Sequence, residues 1–140
     1  MIDDCVFCGI VSGAAPASLV YEDADLLAFL DIRPVTTGHL LVVPKVHASG
    51  LADLDGPTGA GMWQLARRLA SALRRSSLRC DGVNLFLADG VAAGQEVFHV
   101  HLHVIPRFPG DGFAIRADWR VRERDELDAT AEIVRAGVLS

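Results

Sequence analysis

The sequence predicts an α+β fold, in which five strands form an antiparallel sheet accompanied by one long helix and a C-terminal helix. Five short apolar segments of strand length are separated by turn residues, and one longer segment has helical periodicity. The strands are grouped around that helix instead of alternating with helices, which argues against a parallel sheet. A chain of 140 residues, of which 51% are hydrophobic, is long enough for one domain with a buried core.

The first three predicted strands are apolar runs in the N-terminal third of the chain. Leu19–Glu22 and residues 26–31 are separated by an Asp/Glu turn, which predicts two neighbouring strands. Residues 40–43 form a continuous apolar run, and the following Pro44 ends it.

The remaining predicted elements are the long helix, a pair of strands and the last helix. Residues 57–75 place apolar side chains on one stripe of a helix. Strands are predicted at 83–87 and 97–105, and the Gly/Ala-rich loop 89–94 between them makes a hairpin-like pair. The last helix is predicted to start at Asp125, where apolar residues begin to repeat with helical spacing.

Charge and composition restrict the partners that this chain can have. The formal net charge of −5 gives no general attraction to nucleic acid or to an anionic membrane. No apolar stretch approaches the ~20 residues that span a bilayer, and the opening Met-Ile-Asp-Asp-Cys lacks the regions of a signal peptide. We therefore expect a cytoplasmic protein without nucleic-acid or membrane partners, whose Cys5 and Cys8 are reduced or bind a metal.

Three of the five histidines lie in the last predicted strand. His99, His101 and His103 are spaced by two, so in a regular strand their imidazoles share one face. Three interpretations of that face are open: a solvent-exposed surface, one metal ion bound by all three rings, or a catalytic site. A wet face is more usually made of Lys, Thr or Glu.

Strand geometry weighs against one shared metal ion. Residues two apart are separated by ~6.6 Å and residues four apart by ~13 Å, whereas metal–nitrogen bonds are ~2 Å long. A catalytic role suits imidazole, which can attack phosphorus or carry a proton near neutral pH. The preceding loop supplies phosphate-binding groups, because Gly94 permits close approach and the N–H groups around Gln95 and Glu96 can face a phosphate.

The pattern His-φ-His-φ-His-φ-φ over residues 99–105, where φ is apolar, resembles the histidine triad (HIT) family. Other segments resemble the same family in the same order: Phe7-x-x-Ile10, Asp31-Ile32, Gly38-His39-Leu-Leu-Val-Val-Pro-Lys45 and Ala93-Gly-Gln-Glu-Val97. The likeness covers about residues 5–107. We therefore expect residues 1–140 to form a single HIT domain, with a core at about 5–107 and a C-terminal extension at 108–140.

The resemblance implies a homodimer with a continuous sheet that hydrolyses or transfers a purine nucleotide at its α-phosphate. Its substrates would be nucleoside phosphoramidates or dinucleoside polyphosphates, with no organic cofactor. By resemblance, His101 is the nucleophile that forms a transient nucleotidyl-histidine, His103 contacts the phosphate or the leaving-group oxygen, and His39 joins the proton network. The phosphate-binding residues would be Gly94, Gln95, Glu96 and His103. The nucleoside-binding residues would be Asp31 at the ribose and Val6, Phe7, Ile10 and Ile32 around the base.

Two positions depart from the family pattern. Ala88 stands where several relatives have Asn or Gln, so a phosphate or leaving-group contact is missing or has moved to Asp89. Glu96 stands where some relatives have Ser or Thr, and its carboxylate would repel phosphate if it pointed inward. These departures sustain an alternative function, a nucleotide-binding regulatory or adaptor protein with little turnover.

Cys5-Val-Phe-Cys8 is a C-x-x-C pair, which on its own is compatible with a redox role, a metal site or chance. Zinc prefers four Cys or His ligands in a tetrahedron. The arrangement resembles that of some bacterial HIT proteins, in which two Cys, a downstream His and the first His of the strand motif bind the metal. By that resemblance we expect a structural zinc ion bound by Cys5, Cys8, His47 and His99.

Overall fold

The computed structural model describes residues 4–140, so the first three residues of the predicted 1–140 domain lie outside the described residues. Within that range it contains three α-helices and five strands. The helices are α1 (Val6–Ser12), α2 (Gly56–Arg75) and α3 (Arg124–Val138). The strands are β1 (Leu19–Glu22), β2 (Leu26–Leu30), β3 (Leu40–Pro44), β4 (Gly82–Phe86) and β5 (Leu102–Arg107).

The five strands form one antiparallel sheet, as the sequence predicted, and their order in it is β1-β2-β3-β5-β4. Strands β2 and β3 are almost wholly buried, because both faces of the sheet are covered. This explains why they appear in the sequence as unbroken apolar runs and not as alternating ones.

One face of the sheet packs against α2. Leu26 and Ala28 of β2 meet Leu65 and Leu69 of the helix in the larger hydrophobic cluster. The helix is capped by Asp55, whose carboxylate accepts a hydrogen bond from the N–H of Thr58 at 2.8 Å. The other face carries a smaller cluster, in which Phe7 of α1 packs against side chains of β2 and β3.

The predicted strand 97–105 is wrong in its bounds, because β5 starts at Leu102 and the two histidines before it lie outside regular structure. The ladder with β3 pairs Leu40 with Val104 and Val42 with Leu102. It cannot continue to Pro44, which has no N–H. The C=O of Pro44 instead accepts a hydrogen bond from the His99 ring at 2.8 Å.

Two further differences concern the ends of the chain. Helix α1 was not predicted, since its seven residues are too few to show a helical period. Helix α3 begins one residue earlier than expected, at Arg124, and has no buried residue. No helix among residues 4–140 is both long and apolar enough to cross a membrane.

Candidate active site

A cavity of about 310 Å³ opens on the sheet face that carries α1. It brings together residues from α1 and the loop after it, the end of β2, β3, the loop before β5 and the triad segment. All five residues predicted to bind the nucleoside line it, as do Gly94, Glu96, His101 and His103. Its lining includes Val6, Phe7, Ile10, Asp31 and Ile32. Gln95 and His39 lie behind this surface.

The ring of His101 is held in one tautomer by the main chain. Its Nδ1 lies 2.8 Å from the C=O of His99, and because a carbonyl only accepts, Nδ1 carries the proton. The lone pair of the neutral ring is therefore on Nε2. Phe7 packs edge-on against the ring at a centroid distance of 5.1 Å. His101 consequently offers an unprotonated nitrogen to the cavity that it lines.

A second chain of hydrogen bonds fixes His39 and His103. The N–H of Val35 donates to Nδ1 of His39 at 3.0 Å, so Nε2 of His39 carries the proton. That proton points to Nδ1 of His103, 2.8 Å away. In its neutral form His103 must then carry its own proton on Nε2. Thus His101 presents an acceptor and His103 presents a donor.

Burial keeps the imidazole rings of His39 and His103 neutral. It lowers the pKa of His39, against the opposing effect of the Asp31 carboxylate. It lowers the pKa of His103 to about 4, with further contributions from His101 and His39. At neutral pH His103 is therefore a neutral hydrogen-bond donor and not a cation.

Asp31, His39 and His103 are also close enough to hold a metal ion between them. However, Nε2 of His39 and Nδ1 of His103 are bonded to each other. The carboxylate of Asp31 accepts the N–H of Arg33 at 2.8 Å and lies 3.6 Å from Nε2 of His39. These contacts favour a proton network at this cluster over a metal site.

The loop before the triad is built around Gln95. Its side-chain oxygen accepts the N–H of Gly90, and its amide donates to the C=O of Ser49 and of Val97. Its main-chain N–H donates to the C=O of Gly90. Every polar group of Gln95 except its C=O is thus engaged in holding the loop, which leaves it none with which to contact phosphate directly. Gly94 allows the loop to turn with a φ of +92°.

Glu96 does not point its carboxylate into the cavity. It forms an ion pair with Arg33 at 3.0 Å, and both side chains are largely exposed. Both residues also line the cavity. The N–H of Glu96 has no acceptor within residues 4–140 and is free for a ligand.

The other departure, Ala88, is buried and apolar. The contact that an amide would make at this position is not supplied by Asp89. The carboxylate of Asp89 accepts the N–H of Leu51 at 3.2 Å, outside the cavity.

The four predicted metal ligands converge at the start of α1. Sγ of Cys8 lies 3.3 Å from Nδ1 of His47 and 3.5 Å from Nδ1 of His99. Sγ of Cys5 is 3.5 Å from Nδ1 of His99, and the two Nδ1 atoms are 3.2 Å apart.

These distances fit a tetrahedral zinc ion. Zn–S bonds of about 2.3 Å and Zn–N bonds of about 2.05 Å place sulfur and nitrogen ligands about 3.6 Å apart and two nitrogens about 3.3 Å apart. The Nε2 proton of His99 is held by the C=O of Pro44, which leaves Nδ1 free as a ligand. Burial, and then Cys5, raise the pKa of the Cys8 thiol, an effect that a bound divalent cation reverses.

Sequence reasoning missed the roles of four residues at this site. Arg33 carried no pattern that would pair it with Glu96, 63 positions away. The main-chain groups of Val35 and Pro44 orient His39 and His99, but main-chain roles leave no trace in residue type. The positioning role of Gln95 also depends on the folded loop.

Comparisons with known proteins place the chain among its relatives. The family model for the HIT domain matches residues 12–110. A HIT-like protein of Mycobacterium tuberculosis is 44% identical over 131 residues, which cover 94% of this chain and 90% of that protein. An adenylylsulfatase of Arabidopsis thaliana is 38% identical over 105 residues, which cover 75% of this chain and 53% of that protein. The crystal structure of a Zn-bound histidine triad family protein from Mycobacterium smegmatis superposes with a TM-score of 0.77 at 48% identity, covering 95% of this chain and 97% of that chain.

The lowered pKa of His103 gives a testable pH dependence. The ordinary value of 6.5 falls to about 4 in the folded protein. Between these values the unfolded chain binds more protons, so the free energy of unfolding decreases as the pH falls from 6.5 toward 4. Above pH 6.5 this group contributes no pH dependence.

We expect His103→Asn to reduce that slope, because Asn keeps an acceptor for His39 and does not titrate. Chemical denaturation of chelator-treated protein at several pH values measures the slope without a contribution from metal loss. Imidazole ¹⁵N NMR should show a neutral His103 with its proton on Nε2 at pH 5. An equal slope in the two proteins, or a protonated ring at pH 5, would contradict the assignment.

Proposed function

Because this chain belongs to the histidine triad (HIT) family, we propose that it is a nucleotide hydrolase or transferase that acts at the α-phosphate. Its substrates are nucleoside phosphoramidates or dinucleoside polyphosphates, with a purine nucleoside in the cavity. The proposal depends most on His101, whose Nδ1 proton is held by the C=O of His99 while the ring lines the cavity.

In the first step, Nε2 of His101 attacks the α-phosphorus. A bond forms between nitrogen and phosphorus, the bond from phosphorus to the leaving group breaks, and the leaving group departs with the electron pair and takes up a proton from solvent water. The imidazole becomes positively charged as it reacts. The hydrogen bond from Nδ1 to the C=O of His99 stabilises that charge.

Negative charge on the phosphoryl oxygens is met by neutral donors. His103 and Glu96 both line the cavity, and we expect the Nε2 proton of His103 and the free N–H of Glu96 to donate to these oxygens. In the second step, water attacks the nucleotidyl-histidine, the N–P bond breaks, and the nucleoside monophosphate is released. His101 then regains its neutral ring.

The apolar wall and the carboxylate of the cavity suit a nucleoside. Val6, Phe7 and Ile10 offer a surface for a planar base, and Asp31 offers an acceptor for ribose hydroxyls. The name of the Arabidopsis relative, adenylylsulfatase, supports an adenylyl group as the transferred part.

Ala88 favours a second candidate, a nucleotide-binding regulatory or adaptor protein. Its buried methyl group replaces a polar contact, and Asp89 does not supply one in its place. Such a protein would bind nucleoside monophosphate and turn over slowly.

We further propose that Cys5, Cys8, His47 and His99 hold a structural zinc ion. The four ligand atoms fit the tetrahedral distances, and the Zn-bound relative from Mycobacterium smegmatis supports the choice of metal. The reducing cytoplasm, where we place the protein, would keep both sulfurs available as ligands.

We also propose that residues 5–107 are the core of a HIT domain and that the extension 108–140 serves homodimerisation. Helix α3 exposes a stripe of apolar side chains that includes Leu127, Val134 and Val138. Trp119 and Val121, in the segment before it, are also exposed. A second copy of the chain would bury these surfaces.

Replacing His101 tests the nucleophile. We expect His101→Ala and His101→Asn to lose at least about 10³-fold in kcat for adenosine phosphoramidate and diadenosine polyphosphate. The Asn side chain can still donate to the C=O of His99, so loss of that hydrogen bond is separated from loss of Nε2. Melting temperatures should change little.

Two outcomes would contradict the hydrolase. A variant with a near wild-type rate would exclude His101 as nucleophile. Tight binding of adenosine monophosphate by the wild-type protein, with no release of nucleotide from either substrate, would favour the regulatory protein instead.

Metal analysis tests the zinc site. We expect one zinc ion per chain, with its removal lowering the melting temperature because a ligand that binds only the folded state stabilises it. Cys8→Ser should bind zinc more weakly, and Cys80→Ser, the same substitution outside the cluster, should keep it. A zinc-free wild-type protein purified without chelator, or an unchanged melt after zinc removal, would contradict this site.

Sedimentation velocity tests the dimer and the part played by α3. We expect a dimer at micromolar concentration that Val134→Glu dissociates, because the new charge lies in the apolar stripe. Ala136→Glu adds the same charge to the opposite side of the helix and should remain dimeric. A wild-type monomer would refute the dimer, and a dimeric Val134→Glu would exclude α3 from the interface.

A further inference from the structure

Helix α1 belongs to two sites at once. Cys5 caps its start and Cys8 lies in its first turn, so both thiol ligands are at its N-terminal end. Val6, Phe7 and Ile10 of the same short helix line the cavity. Residues that line the cavity and residues that could bind a metal ion are therefore interspersed along residues 5–10.

Apart from its thiols, this helix is attached to the sheet by a few side-chain contacts, in which Ile10 and Val11 pack partly buried beside Phe7. The backbone hydrogen bonds of residues 5–13 all remain within the helix and its immediate ends, from Gly9 to Cys5, from Gly13 to Ile10 and from Ala15 to Gly9. Within residues 4–140, no backbone hydrogen bond joins the helix to the sheet. Phe7 is its one buried side chain. A helix of seven residues is not stable alone in water.

The other two ligands lie on the body of the protein. His99 is fully buried, its Nε2 donates to Pro44 at the end of β3, and the next residue, Val100, donates its N–H to the C=O of Ala48, beside His47. An ion bound by all four side chains would thus join a weakly attached helix to the two segments that follow β3 and precede β5.

We propose that the metal ion fixes the nucleoside wall, so that Cys5 and Cys8 are positioning residues for nucleoside binding. This inference rests on the proposed function, because it takes the cavity lined by α1 as the nucleoside site. With the ion bound, Val6, Phe7 and Ile10 are presented as one preformed surface. Without it, the nucleotide must order the helix at a cost in affinity.

The coupling is reciprocal by thermodynamic necessity. A nucleotide that packs on α1 holds Cys5 and Cys8 beside the two histidines. Zinc affinity must therefore rise with nucleotide bound by the same factor by which nucleotide affinity rises with zinc bound.

Calorimetric titration with adenosine monophosphate tests the binding half of the proposal. We expect the Kd to increase about tenfold or more on zinc removal, within the usual range of couplings between sites. Cys8→Ser should weaken binding similarly. Cys80→Ser, a thiol-to-hydroxyl change outside the cluster, should bind zinc and nucleotide as the wild type does.

Hydrogen exchange tests the structural half independently of any nucleotide. Removal of zinc should increase exchange in residues 6–12 and leave β2 (Leu26–Leu30) protected. Equal loss of protection in α1 and β2 would overturn the proposal, because the ion would then hold the whole fold. Unchanged exchange in α1, or an unchanged Kd, would overturn it as well.

These measurements separate the inference from the function on which it rests. If zinc-loaded wild-type protein does not bind adenosine monophosphate, the proposed function fails, and the nucleoside role of α1 fails with it. If it binds the nucleotide with the same Kd with and without zinc, the function stands and only the coupling is refuted.

Discussion

The arrangement of this site depends on main-chain groups that decide which nitrogen of each imidazole carries the proton. The C=O of His99 takes the Nδ1 proton of His101, and the C=O of Pro44 takes the Nε2 proton of His99. The N–H of Val35 donates to Nδ1 of His39, which leaves the proton of His39 on Nε2. That proton in turn is donated to Nδ1 of His103 and leaves the proton of His103 on Nε2. Three rings that are equivalent in sequence thereby differ in what they offer: an acceptor at Nε2 of His101, a donor at Nε2 of His103, and an unprotonated Nδ1 at His99 beside the two thiols. Side-chain carboxylates, which often orient catalytic histidines, have a minor part.

This division of roles requires the strand to begin late. If β5 had started at residue 97, as predicted, the rings at 99 and 101 would have shared one flat face. Because Pro44 cannot donate to the ladder, the segment leaves the sheet before Leu102, and His99 turns toward Cys5 and Cys8. Of the three histidines, only His103 lies within the strand, so the strand spacing that suggested a shared face does not apply to His99 and His101. His101 nevertheless lies near His103, with ring centroids 5.0 Å apart.

The elements with a long apolar pattern, and the side chains of distinctive type, could be predicted from the sequence. The runs at β2 and β3 are long and buried on both sides, and α2 has a clear stripe, so their bounds were predicted within about a residue. The Cys and His ligand set was predicted from the resemblance to bacterial HIT proteins, and the structure brings the four side chains together. Helix α1 was not predicted, because the features that hold it are a cap, one buried Phe and two thiols. None of these produces a helical periodicity in the sequence. The Arg33–Glu96 pair was missed because it joins two exposed loops.

The charge balance of the cavity bears on turnover. Arg33 is the one Lys or Arg side chain in the described lining, and it is already paired with Glu96. His103 is neutral, since burial lowers its pKa to about 4. In the proposed reaction, an anionic phosphate would therefore meet N–H donors and no unpaired cation in the described lining. Binding the substrate tightly would not accelerate the reaction, whereas donors aimed at charge that develops in the transition state do. In the proposed reaction, the same lining would let the nucleoside monophosphate leave, because no unpaired guanidinium or ammonium there would retain it.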